Sequence, residues 1–352
     1  MSIQIIGTGA YIPEEVENNA SFLNNEFYDD AGVKIPSSNP EIIEKFKAIT
    51  GIEERRYAPK EMSSADIAAD AAEKAIADAG IDREQIDYII VAHNAGNISA
   101  NSDQVDTLPC VAARVKANLN IKKPSCVAYD IIFGCPGWVE GMIQAKAFIK
   151  SGMAKYCLVI GSETLSRLID PTDRDSMIYA DGAGATVVTA SSEESGVLSH
   201  VSATYTADGE ADFIFYGTAY KPTTSTTKYI KMHGRKVYEF ALTHVPQAMK
   251  ACLDQANVPI DKLKKIFLHQ ANLKMDEAIV NRFYRLYKEK TPYNILPMNI
   301  QKFGNSSVAT VPTLYNLVAK ANYEGHELHT GDIIMFASVG AGMHINAITY
   351  RV

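Results

Sequence analysis

Cys135 stands in Gly134-Cys135-Pro136-Gly137, a setting that reads as a tight turn from a strand into a helix. Proline suits the first helical position because it has no N–H to leave unpaired there. A sulfur at that turn faces backbone N–H groups and the positive end of the helix dipole, both of which favour the nucleophilic thiolate. Two further polar residues occupy marked settings: His269 opens His269-Gln270-Ala271-Asn272, and Asn305 follows a glycine in Gly304-Asn305-Ser306-Ser307. A thiol, an imidazole and an amide suit acyl transfer through a thioester on sulfur. They also serve cysteine hydrolases, in which the imidazole is the general base. Cys110, Cys126, Cys157 and Cys252 lack such a context and are expected to be small core residues. The other histidines, His93 among them, are expected to be structural. His326 and His329 lack a third ligand, so no metal site is expected.

Distant segments must meet for these groups to cooperate, and an internal repeat shows how. Residues 63–93 read as a helix capped by Ser63 or Ser64 and filled with alanine, then a buried strand at 87–92 that ends at His93. Residues 236–272 follow the same order: a helix through Phe240, Met249 and Leu253, then a strand at 265–268 that ends at His269. Even the connecting Ile81-Asp82 recurs as Ile260-Asp261. Downstream, residues 130–135, a helix to Gly152 and a strand at 156–161 match residues 299–305, a helix to about Asn322 and a strand at 332–338, so that Phe-Gly-Cys answers Phe-Gly-Asn. Gly182-Ala183-Gly184 and Gly340-Ala341-Gly342 read as matching hairpin signals. The repeated alternation predicts two α/β halves, 1–192 and 193–352, related by a pseudo-twofold axis and joined by the loop at 191–195. Cys135 and Asn305 would be symmetry mates at two helix N-termini, with His269 delivered by a strand end. Residues 211–229 have no counterpart in the first half and read equally as a lid or an edge hairpin.

Length and composition agree with a globular chain: 352 residues, 47% apolar and 21% charged. A net charge of −7 disfavours general binding to nucleic acid, which needs a basic face. No apolar run is long enough to span a membrane, and the first residues lack the order of a secretory signal, so a cytoplasmic location is expected. The five cysteines are scattered without Cys-x-x-Cys spacing, which suggests neither disulfides nor zinc.

The three signatures around Cys135, His269 and Asn305 resemble those of the 3-oxoacyl-acyl-carrier-protein synthase III family of the thiolase superfamily. So do Thr50-Gly51-Ile52, Asp170-Pro171-Thr172-Asp173-Arg174 and Asp181-Gly182-Ala183-Gly184-Ala185, and the order matches over nearly the whole chain. The resemblance implies a thiolase-like α/β fold of two duplicated halves, with mixed sheets sandwiching buried helices (αβαβα). It implies decarboxylative Claisen condensation of an acyl group on Cys135 with malonyl-acyl carrier protein, with no cofactor beyond the thioester substrates. In that chemistry His269, as a neutral donor, and Asn305 would stabilise the enolate, and the backbone N–H groups of Cys135 and Ala341 would hold the tetrahedral oxyanion, each worth about 3 kcal/mol. Arg174, Leu108, Gly234 and Asn272 are implied in substrate binding, Leu108 from the partner subunit of a homodimer, and Lys274 in docking acyl carrier protein. Lys262, Lys264, Lys265, Arg282, Arg285 and Lys288 would extend a basic rim or form a solvated face. The family's tryptophan before Thr-Gly-Ile, which stacks on coenzyme A adenine, is absent here: the segment reads Glu44-Lys45-Phe46-Lys47-Ala48-Ile49, and the only tryptophan is Trp138. The starter is therefore expected on coenzyme A or on a carrier protein. Alternatives at this stage are a specialised condensing enzyme of secondary metabolism that joins longer acyl chains, a cysteine hydrolase, or a silent carrier-binding subunit.

Overall fold

A computed structural model of the chain describes residues 2–98, 102, 104–191, 195–321 and 323–352. The first half runs β1 (Ser2–Tyr11), β2 (Glu15–Asn18), α1 (Asn39–Thr50), β3 (Glu54–Tyr57), α2 (Ser64–Ala79), β4 (Tyr88–His93) and α3 (Val111–Asn118). It continues through β5 (Val127–Ile132), α4 (Gly137–Lys150), β6 (Tyr156–Thr164) and β7 (Asp181–Ser191). The second half runs β8 (Gly196–Thr204), β9 (Ile214–Gly217), β10 (Tyr229–Met232), α5 (Gly234–Gln255), β11 (Leu263–Leu268), α6 (Leu273–Arg285), α7 (Ile300–Phe303), α8 (Thr310–Ala321), β12 (Ile333–Gly340) and β13 (His344–Arg351). The division expected at 192/193, like the helix end expected near Asn322, lies outside the described residues.

Each half builds one mixed sheet. The first has the order β1-β7-β6-β4-β5, the second β8-β13-β12-β11. Pairing is antiparallel, antiparallel, then parallel in both, so the strands correspond one to one up to the edge. The first sheet's fifth strand has only a vestige in the second, where Ile266 N–H bonds to the Ile295 carbonyl.

Strand alternation decides the layers. Along β4, Ile89 and Val91 face the core formed with α2 and α3, while Ile90 faces the opposite core with α4. Along β12, Met335 and Ala337 pack toward α5 and α6, while Ile334 and Phe336 pack toward α8. Side chains of period two thus send alternate residues into different cores. The outcome is five layers, α-β-α-β-α, with α4 and α8 enclosed between the two sheets. Trp138, with no exposed surface, sits edge-on to Phe336 in that middle layer and belongs to the core. A fourth cluster of α1, Phe22, Phe27 and Ile178 caps one end.

Local signals hold at several boundaries. Ser63 caps α2 through Asp66 N–H in a capping box, and Gly80 ends that helix in the left-handed region at φ +64°. One expectation is corrected. Gly182-Ala183-Gly184 is no hairpin but lies inside β7; a Cβ on Gly184 would come within 2.8 Å of Pro312, so glycine is needed there for α8 to reach the sheet. Gly340-Ala341-Gly342 does turn the chain from β12 into β13.

At Gly161 of β6 the halves touch closely, since a Cβ there would overlap the Val308 carbonyl. Gly161→Ala should therefore destabilise the protein by about 3 kcal/mol, the upper range for forced overpacking. Urea unfolding checks this; an unchanged midpoint would show that the contact relaxes freely.

Candidate active site

β5 ends at Ile132, and Gly134 turns the chain at φ +62° so that Cys135 precedes α4. The C-terminal half pins this turn, because Asn346 Nδ2 of β13 donates to the Pro136 carbonyl at 3.0 Å. Gly134 and Gly340 face each other across the junction. A Cβ on Gly134 would lie 2.7 Å from Ala341 N, and one on Gly340 2.5 Å from Cys135 N. Two glycines thus bring the amides of Cys135 and Ala341 side by side, as an oxyanion site requires.

His269 follows β11 directly, and its N–H bonds to the Ala337 carbonyl at 2.9 Å. Ring Nδ1 lies 2.8 Å from Thr310 Oγ1, whose own proton goes to the Ser307 carbonyl at 2.7 Å. Thr310 Oγ1 must then accept, so Nδ1 carries the proton of the neutral ring and Nε2 is bare. Burial pushes His269 down to about 4, which keeps it neutral near pH 7.

Asn305 is held by its backbone: its N–H donates to Ile178, and its carbonyl accepts from Ala180. Its Oδ1 accepts Ser307 N–H at 2.8 Å, leaving the NH₂ group available to the cavity. Asn305 does not itself begin a helix. A short 3₁₀ turn at Ser307–Ala309 intervenes before α8, and Ser307 adopts a left-handed φ of +52° that aims its hydroxyl at Cys135 Sγ, 3.1 Å away.

The resting charge of Cys135 differs from the sequence expectation. Cys135 is half-buried at the cavity wall, and the protein packed around its sulfur pushes the thiol up to about 12, with the Ser307 hydroxyl opposing and Glu163 adding to the rise. Desolvation outweighs the hydrogen bonds from Ser307 and the Cys135 amide, so the thiol is protonated at rest.

Cys135, His269, Asn305 and Ala341 line one cavity of about 340 Å³, walled by Ile132, Leu165, Ile178, Met275 and Val339. The β9–β10 hairpin supplies Ile214, Phe215, Tyr216 and Met232. Residues 211–229 therefore contribute a cavity wall lying outside both main sheets. Lys231, fully buried, holds this hairpin by pairing with Asp170 and Asp173 beneath the Tyr220 ring. A groove of about 620 Å³ adjoins the cavity and shares Ile178, Met232, Val237, Ala271 and Met275 with it. Arg174, Gly234 and Asn272 line the groove; Asn272 also caps α6 through Met275 N–H. Phe46 is buried with the Arg55 guanidinium over its ring, so Tyr238, 37% exposed, is the groove's open aromatic face. Leu108, 87% exposed, lines neither space, and Lys274 is exposed on the first turn of α6. Of the basic rim, Lys265 and Arg282 are engaged by the carbonyls of Asn294 and Leu242. Sequence reasoning missed Thr310, Asn94 and Glu163 and did not single out Ser307. A carboxylate at the end of the buried strand Gly161-Ser162-Glu163 was the one available signal.

An unfolded histidine titrates near 6.5, above the native His269. Between those values the unfolded chain binds the extra proton, so this residue's stabilisation is complete above pH 6.5 and is lost as pH falls toward 4. From pH 7 to pH 5, wild type should lose about 2 kcal/mol more stability than His269→Gln. Denaturant titrations at both pH values measure this; parallel losses would reject it.

The model of 3-oxoacyl-[acyl-carrier-protein (ACP)] synthase III matches residues 129–209, and its C-terminal counterpart matches residues 253–352. The chain is 31% identical over 351 residues to a beta-ketoacyl-[acyl-carrier-protein] synthase III of Paracoccus denitrificans, covering 98% of each. It is 34% identical to one from Vibrio vulnificus, covering 97% of each. Among solved structures, 3-oxoacyl-[acyl-carrier-protein] synthase III from Aquifex aeolicus superposes with a TM-score of 0.81 at 30% identity over the full length of both chains. Xanthomonas campestris OleA shares the fold alone, at 18% identity and a TM-score of 0.76, with 100% and 99% of the chains covered. With its signatures converged on one cavity and its whole length matched, the chain belongs to the 3-oxoacyl-[acyl-carrier-protein] synthase III family.

Proposed function

We propose that this protein condenses an acyl group carried on Cys135 with malonyl-acyl carrier protein, releasing carbon dioxide and giving the 3-oxoacyl thioester that initiates fatty-acid synthesis. The observation that carries this reading is the convergence of Cys135, His269 and Asn305 on an apolar cavity that adjoins a wider groove. The cavity suits an acyl chain, and the groove suits the arm that bears a thioester.

In the first half-reaction the Cys135 sulfur attacks the starter thioester. Bare Nε2 of His269 takes the thiol proton and returns it to the departing thiol. In the second, the malonyl carboxylate leaves as carbon dioxide, and the enolate oxygen is held by the Asn305 NH₂ group and by His269. For that task Nε2 must carry the ring proton: it gains one from solvent as Nδ1 gives one up, and the Thr310 hydroxyl then turns to donate to Nδ1. The carbanion attacks the acyl carbonyl; the oxyanion sits between the Cys135 and Ala341 amides and collapses to expel the Cys135 thiolate, which a proton from solvent quenches. The two half-reactions together consume the two thioesters and one solvent proton, and release carbon dioxide and the thiol that carried the starter.

The starter arrives on coenzyme A or on acyl carrier protein through the groove lined by Arg174, Gly234 and Asn272, and Lys274 lies on the carrier-docking side. A homodimer fits the exposed edge strand β5: Val127 and Ile132 are 46% and 67% exposed, and Ile132 also borders the cavity that the partner's Leu108 would complete. Among the described residues no helix is long and apolar enough to cross a membrane; a cytoplasmic location belongs to this proposal.

Cys135→Ala should abolish acyl-enzyme formation in intact-protein mass spectrometry with a panel of acyl thioesters. Asn305→Ala should still be acylated yet decarboxylate malonyl carrier protein at least a hundredfold more slowly, the usual loss for one oxyanion donor. Acylation retained without Cys135, or normal decarboxylation without Asn305, would sink the assignment.

Lys274→Glu should raise the KM for malonyl carrier protein, with the wild-type rate falling as salt rises. Arg174→Ala should affect coenzyme A-borne starters only. Equal sensitivity of both steps to both substitutions would place the carrier elsewhere.

A further inference from the structure

Glu163 lies at the end of β6 with 1% of its surface exposed. Its Oε1 accepts two hydrogen bonds from one residue, Asn94, from the backbone N–H at 2.7 Å and from the side-chain amide. The other hydrogen of that amide goes to Ser307 Oγ at 2.6 Å. Ser307 Oγ, accepting from Asn94, must turn its own proton outward, and the next atom is Cys135 Sγ. Asn94 therefore donates on both sides, to Glu163 and to Ser307, and Ser307 passes its own proton on to the sulfur, the last acceptor. A hydroxyl aimed at sulfur stabilises the thiolate more than the thiol, since hydrogen bonds to charged acceptors are the stronger ones. Without Asn94 the Ser307 rotor could aim its proton elsewhere.

We propose that Glu163 is a positioning residue for the nucleophile: acting through Asn94, it locks the Ser307 hydroxyl as a donor to Cys135 and so makes the sulfur reactive in acyl transfer. This rests on Cys135 being the acyl carrier.

The charge of Glu163 acts against its hydrogen-bonding role. Burial pushes its carboxyl up to about 7, with Asp181 adding to the rise and His93 and Asn94 opposing it, so it ionises near neutral pH. Once ionised it disfavours the thiolate. The charged or titratable groups facing it are His93 from β4, Asp181 from β7, Tyr216 from β9 and Cys135 itself. His93 cannot replace Asn94 in the relay: its Nδ1 accepts from Gly96 N–H, and its Nε2 is committed to Asp130. The carboxyl therefore sets the Ser307 donor in place while its ionisation tempers the thiol.

The two effects separate in paired substitutions. Glu163→Gln and Glu163→Leu are both uncharged, but only glutamine offers an acceptor to Asn94. The pH profile of Cys135 alkylation by iodoacetamide, followed on the Cys135 peptide by mass spectrometry, reads the thiol whether or not condensation follows. Failure here is thus distinct from failure of the condensation reading. The midpoint for Glu163→Leu should lie about one pH unit above that for Glu163→Gln, or roughly tenfold slower alkylation at a fixed lower pH, and Asn94→Ala should lie above wild type by a similar amount. Glu163→Gln should lie at or below wild type. The same variants should lower kcat for starter transfer and leave the starter KM unchanged where the midpoint rises. Coincident midpoints for the two Glu163 variants, or a wild-type profile in Asn94→Ala, would overturn the proposal. If Glu163→Leu does not fold, Asn94→Ala, which removes only an amide from the cavity wall, decides the matter alone.

Discussion

Two helices buried between two sheets are the constraint on which the rest depends. α4 and α8 have β-sheet on both sides, so their lateral faces must be apolar and close-packed, as Met142, Leu314 and Val318 are. Polar chemistry is then confined to the chain just ahead of their N-termini, where backbone N–H groups still need partners. Those two approaches come from different halves of the chain, and each begins with a left-handed glycine after a phenylalanine: Gly134 and Gly304, both at φ +62°. Cys135 and Asn305 follow them. Strand β11, parallel to β12, ends at the same level and releases His269 there. The site is thus a consequence of layering, in which reactive groups gather where the middle layer opens.

The same enclosure sets the protonation states. Desolvation pushes the thiol up and the imidazole down, so the pair rests neutral and no standing ion pair forms. In such surroundings the fixed donors act more strongly on transient charge than they would in water, which is what an enolate and a tetrahedral oxyanion require. The chemistry is then a matter of proton movement between close neighbours, with Thr310 and Ser307 deciding which nitrogen and which hydroxyl carries the proton. The buried charges elsewhere have another role. Lys231 with Asp170 and Asp173 joins the β9–β10 hairpin to the segment carrying Arg174, so the cavity wall and one side of the groove are held by a single electrostatic knot. Breaking such a knot strands a buried charge, which makes the hairpin a fixed wall.

Much of this was legible in the sequence because periodicity and turn chemistry are local. The duplicated order of helices and strands, the Ser63 cap, the Phe-Gly-Cys and Phe-Gly-Asn correspondence and the convergence of Cys135, His269 and Asn305 all followed from residue type and spacing. Gly182-Ala183-Gly184 misled because a glycine needed for close approach to Pro312 has the same local signature as one needed for a turn. The thiolate expected at Cys135 misled because a helix terminus is visible in sequence, whereas desolvation depends on everything packed around the sulfur.

By itself, then, the sequence determined the duplicated order of helices and strands and the marked settings of Cys135, His269 and Asn305, since each depends on residue type within a short window. Only the tertiary structure decided the protonation of Cys135 and His269, the enlistment of Glu163 and Asn94, the role of Tyr238 as the groove's open ring, and the fate of residues 211–229. Those properties arise from contacts between segments tens to hundreds of residues apart, such as Asn94 with Ser307 and Asn346 with Pro136. Burial and hydrogen-bond direction exist only once those segments have met.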